Sequence, residues 1–61
     1  MFKVIIYNKY NNPIRFWFTE SKENALTKAK RIAKANAKKG IWTLVEDENF
    51  EQIEYFDYTP F

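Results

Sequence analysis

Apolar and polar positions alternate through the first ten residues. Phe2, Val4 and Ile6 fall on one side of an extended chain, and Lys3, Ile5, Tyr7 and Lys9 on the other, which predicts a strand over residues 2–10. Asn11-Asn12-Pro13 reads as a turn, because Asn tolerates left-handed backbone and Pro cannot donate to a ladder. Alternation resumes with Ile14, Phe16 and Phe18 against Arg15, Trp17 and Thr19, a second strand that forms a hairpin with the first.

The period then lengthens. Between Lys22 and Lys39 there is no Pro, Gly or β-branched run, and Ala25, Leu26, Ala29, Ile32, Ala33, Asn36 and Ala37 share one face at helical spacing. Either Thr19 or Ser21 supplies a capping hydroxyl, Glu20 and Glu23 suit the positive end of the helix dipole, and Gly40 is the expected left-handed terminator. Ile41 to Val45 predicts a third strand, Glu46-Asp47-Glu48-Asn49 a turn, and Phe50 to Tyr58 a fourth strand. In that strand Ile53 and Tyr55 are placed inward and Glu54, Phe56 and Tyr58 outward, although the alternation also admits the opposite phase. Asn49 stands at a turn position where Gly is expected.

The helix returns the chain so that strands two and three run the same way. A sheet with no parallel pair therefore has the order 2-1-3-4, with the apolar strands one and three central and Pro13 and the acidic fourth strand at the edges. The expected fold is α+β: a ββαββ unit spanning residues 1–61, a four-stranded antiparallel sheet with one helix on one face. The small residues on the helix face are expected to let it sit close to a sheet rich in large aromatics.

An aromatic second strand runs into Phe18-Thr19-Glu20-Ser21-Lys22-Glu23-Asn24-Ala25. A helix carrying Ala29, Ile32, Ala33 and Lys34 follows, then a Trp-bearing strand, an acidic turn and a Tyr-rich last strand. In spacing and residue type the chain resembles small strand-strand-helix-strand-strand domains of unknown function from bacteria and their phages. The resemblance implies the same fold and no catalytic residues.

Composition sharpens this picture. A 61-residue domain buries only about 60% of the surface its unfolded chain exposes, and small folds usually compensate with disulfides, a metal or a partner. With no Cys and no His, a disulfide framework and the usual zinc sites are excluded, leaving a large aromatic core or oligomerisation to explain stability. The cysteine-free composition suits a reducing compartment. The N-terminal apolar run is too short for a signal peptide or membrane span, so a cytoplasmic location without membrane contact is expected. The net charge of +2 hides an asymmetry. Residues 1–40 hold all ten basic residues against Glu20 and Glu23, a balance of +8, and residues 41–61 hold six acidic residues and no basic one.

The side chains that catalysis needs are missing. Without Cys or His, and with Ser21 as the sole serine at a helix cap, nucleophilic triads and thiol chemistry have no components. Glu46-Asp47-Glu48 lacks the spaced ligands and turn glycine of a calcium loop and reads as a solvated turn. No Gly-rich loop exists to cradle a phosphate. The protein is expected to be no enzyme and to need no cofactor or metal.

Two surfaces remain as candidate binding sites. One is the sheet face opposite the helix, assigned Ile5, Tyr7, Trp17, Val45, Phe56 and Tyr58 with Lys3, Lys9 and Arg15 at its margin. As a protein-binding or dimer face its key residues are Ile5, Tyr7, Arg15, Trp17, Phe56 and Tyr58, since Trp, Tyr and Arg dominate protein interfaces. The plainer alternative is that the strand phases are inverted and several of these side chains are core. The other surface is the exposed helix face, where Lys30, Arg31, Lys34 and Lys38 suit phosphate or an acidic partner, or simply solvate the last turns. The expected function is that of a small homodimeric protein-binding module of the accessory or inhibitor type used by phages. The alternative is a nucleic-acid-binding protein using the basic helix, the aromatic sheet face, or both.

Overall fold

A computed structural model describes residues 1–60. The chain forms β1 (Phe2–Tyr7), β2 (Pro13–Thr19), α1 (Lys22–Ala35), a 3₁₀ turn (Ala37–Lys39), β3 (Trp42–Glu46) and β4 (Gln52–Phe56). The sheet has the order β2-β1-β3-β4 with every pair antiparallel, and α1 packs on one face, as the α+β ββαββ reading expects.

Ser21, not Thr19, is the N-cap: its Oγ accepts the Asn24 N–H at 3.1 Å. α1 stops earlier than its periodicity suggests because Asn36 competes with the helix. Both its backbone N–H and its Nδ2 donate to the Ile32 carbonyl, and its backbone leaves helical geometry. A 3₁₀ turn follows, ended by Gly40 at φ 77°.

Ala25, Ala29 and Ala33 form a fully buried stripe on α1, and Val4 and Val45 complete the central cluster with the first two. Thr43 is also fully buried on this side, its hydroxyl donating to the Ala29 carbonyl at 2.8 Å. The sheet beneath the helix is thus lined at its centre by small β-branched residues. Phe2, Trp17, Leu26, Ile53 and Phe56 pack around that centre. The small residues of the helix face thus meet small residues at the centre of the sheet, with the large aromatics around them. Large rings at the centre would hold the backbones apart, whereas alanine against Val and Thr closes the gap.

The two hairpin turns are built alike. Asn8 Oδ1 accepts the N–H groups of Tyr10 and Asn12, so β1 ends at Tyr7, three residues short of the expected end at Tyr10. Asp47 Oδ1 accepts those of Asn49 and Glu51 in the second turn. Each turn then needs one left-handed residue, supplied by Asn11 and by Phe50, both at φ 63°. The strain in the last hairpin therefore falls on Phe50, not on Asn49. A bulky side chain there costs about 1–2 kcal/mol, and Phe50 is 77% exposed, so little packing offsets it. Phe50→Gly should stabilise the protein by about 1 kcal/mol, read as a higher urea midpoint at unchanged slope. A lower midpoint would show that the ring contributes contacts worth more than its backbone strain.

Candidate functional site

The strand registers sort every sheet side chain onto one face or the other. Val4 pairs with Trp17 and Val45, and Ile6 with Arg15 and Thr43, so these residues share the helix side. The opposite face is built in three rows. Phe18, Lys3, Glu46 and Gln52 form the first, and Phe16, Ile5, Leu44 and Tyr55 the second. Tyr7 and Trp42 centre the third, their rings stacked at 4.3 Å and 10°. The middle row is apolar across all four strands.

Of the residues assigned to this face from the sequence, Ile5 and Tyr7 are there. Trp17, Val45 and Phe56 instead pack against the α1 core, and Tyr58 lies beside the helix with Lys34 Nζ 5.5 Å from its ring centroid. Arg15 follows Trp17: its guanidinium lies 4.9 Å from the indole, over which Lys28 Nζ also reaches, at 4.0 Å. Two bulges explain the inversion on the edge strands β2 and β4, while Val45 follows from its regular pairing with Val4. On β2, Ile14 is the extra residue between the Ile6–Arg15 and Tyr7–Pro13 pairs. On β4, Ile53 is the extra residue between the Val45–Glu54 and Glu46–Gln52 pairs. A bulge re-aims its strand. Ile53 packs against the core as expected, and the extra residue brings Phe56 to the same side, while Tyr55, expected inward, turns to the open face.

The residues missed were Phe16, Phe18, Leu44, Trp42 and Tyr55. The signal lay in β3: Thr43 and Val45 suit an alanine helix, which assigns the larger Trp42 and Leu44 to the other side. No second layer covers that side among the described residues, yet Ile5 and Leu44 are only 6% and 9% exposed. Cover comes from their neighbours within the face, and the edge aromatics are the residues left open, Phe16 at 55% and Tyr55 at 57%. Between β1 and β2 the surface is concave, a groove of about 620 Å³ lined in part by Ile5, Tyr7, Ile14, Arg15 and Phe16, so Arg15 also borders this face.

The charges on this face stand out against its apolar centre. Lys3 and Glu46 are direct cross-strand partners, yet Lys3 Nζ turns outward to lie 4.7 Å from the Phe16 ring centroid. Among the described residues the one ion pair joins the Met1 amino group to Glu48 at 3.7 Å. Apart from that contact, the basic and acidic halves of the chain form no ion pair among the described residues. On α1, Lys30, Arg31 and Lys34 are exposed and line a shallow groove, whereas Lys38, also exposed, lies beyond the helix in the 3₁₀ turn. At the far end of the open face, Asp57 is held below the usual carboxylate range by hydrogen bonds from the Thr59 hydroxyl (2.6 Å) and N–H (3.0 Å).

Among the described residues no group of three His, Cys, Asp or Glu side chains is placed to hold a metal, and no helix is long and apolar enough to cross a membrane. The chain matches no protein-family model, no curated protein and no solved structure.

Proposed function

We propose that this protein acts by binding other proteins, without catalysis or a cofactor, through the open face of its sheet, and that it is a homodimer. The observation that carries the reading is the apolar row Phe16–Ile5–Leu44–Tyr55, which crosses all four strands and ends in half-exposed aromatics on both edges. Covering such a row stabilises a complex by on the order of 25 cal/mol per Å² of apolar surface removed from water, which a 61-residue fold without disulfides has particular use for. The resemblance to small phage domains extends the reading to an accessory or inhibitor protein, and the cysteine-free composition supports a cytoplasmic setting.

A second reading, nucleic-acid binding, is favoured by the exposed cations Lys30, Arg31 and Lys34, which form no ion pair among the described residues, with the Tyr58 ring beside Lys34. The acidic residues from Glu46 to Asp57 weigh against it, since a phosphate chain running past the helix would be repelled.

Sedimentation equilibrium tests the first reading. The protein should be dimeric at micromolar concentration, and Phe16→Lys or Tyr55→Lys should shift it to monomer with little change in melting temperature, because both side chains lie at exposed edges. A monomer throughout that range would overturn the homodimer. Salt-sensitive nucleic-acid binding that a Lys30/Lys34/Lys38 triple alanine variant loses would put the second reading first.

A further inference from the structure

Resting on the open-face reading, we infer that the partner copy docks face to face about a two-fold axis running along the strands between β1 and β3. This docking sets Lys3 against the partner's Glu46 and Glu46 against the partner's Lys3.

The pairing follows from the registers. Rotation about such an axis keeps each row at its own height and exchanges β1 with β3 and β2 with β4. Ile5 then meets the partner's Leu44, Phe16 the partner's Tyr55, and Tyr7 the partner's Trp42. In the middle row apolar residues meet apolar residues and the edge aromatics Phe16 and Tyr55 meet each other, while in the first row Phe18 meets the partner's Gln52. In that first row a cation also meets an anion twice, once on each side of the axis. Lys3 and Glu46 are both partly buried and form no ion pair among the described residues, Lys3 having turned toward Phe16. An axis running across the strands would instead set Lys3 against the partner's Tyr7 and Glu46 against the partner's Trp42, desolvating both charges without compensation. The aligned arrangement is also the usual geometry of stacked sheets, whose strands run within about 30° of each other.

Charge reversal reads this register directly. Lys3→Glu places two acidic groups on each side of the axis, and Glu46→Lys places two basic ones, so each variant alone should lose at least about tenfold in dimer affinity. An equimolar mixture of the two variants should form a heterodimer of near wild-type affinity, and the K3E/E46K double variant should recover as a homodimer. Restored association on mixing is a result that misfolding of either variant would not produce. If Phe16→Lys breaks the dimer while both charge reversals leave it intact, the register is wrong and the open-face reading stands. If the wild type is monomeric and Phe16→Lys changes nothing, the open-face reading itself fails. If the single variants weaken but their mixture does not recover, the facing charges are not Lys3 and Glu46, and the inference is overturned.

Discussion

Gly40→Ala should remove most of the stability of this protein, about 3 kcal/mol of the roughly 3–5 kcal/mol that a core of this size supplies. Two costs combine. Gly40 sits at φ 77°, where an L side chain costs about 1–2 kcal/mol. A Cβ added there would also lie 2.5 Å from the Lys9 Cβ and 3.3 Å from its Cα, so the obstacle is the root of a side chain and not its flexible end. Relief would require moving the first hairpin turn, which Trp42 Nε1 anchors through Asn11 Oδ1 at 3.1 Å, at a typical overpacking cost of about 1–3 kcal/mol. The smaller entropy of an alanine in the unfolded chain offsets under about 1 kcal/mol of this. Adding Lys9→Gly should recover the steric part and leave the backbone part. Urea denaturation of Gly40→Ala, Lys9→Gly and the double variant measures both, and a Gly40→Ala loss below about 0.5 kcal/mol would show that the turn and the helix terminus are not in contact.

Ala29→Leu should cost about 1–3 kcal/mol by overpacking. Ala29 has no exposed surface, and it faces the centre of the sheet, where Val4 and Val45 leave no room for three more carbons. The helix cannot simply rise to accommodate them, because the Thr43 hydroxyl is bonded to the Ala29 carbonyl at 2.8 Å and stretching that bond would add about 1 kcal/mol. Ala35→Leu is the matched control: the same exchange on the exposed side of the same helix should change stability by less than about 0.5 kcal/mol. Equal melting temperatures for the two variants would mean that the alanine stripe does not face the sheet.

The two substitutions probe features of different origin. Gly40 was recognisable as a helix terminator from its place after Lys39, but its contact with Lys9 joins segments thirty-one residues apart and has no local signature. The alanine stripe was readable as a buried face because helical periodicity is strong over fourteen residues. Which sheet residues that stripe meets is not legible locally, since the fit of Ala25, Ala29 and Ala33 to Val4, Thr43 and Val45 depends on how closely two backbones approach.

The candidate site divides along the same line. Ile5 and Tyr7 were placed correctly because β1 is central, regular and apolar through its middle. Trp17, Phe56 and Tyr58 were placed on the wrong face because β2 and β4 carry apolar residues on both sides, so alternation alone assigns no direction to either edge strand. The turn from Asn8 to Asn12 and the bulges at Ile14 and Ile53 set that direction, and one inserted residue is enough to send every later side chain to the other face.

By itself, the sequence determined what short-range physics controls: four strands, one capped helix, their order in the sheet, and an excess of aromatic surface over what one helix covers. Local periodicity, capping chemistry and the handedness of connections act within a few residues and leave their mark in the order of residue types. Only the tertiary structure decided which aromatics remain uncovered and that Lys3 and Glu46 share a row. Those outcomes depend on cross-strand register, which sums turn geometry, bulges and the closeness of helix to sheet over the whole chain.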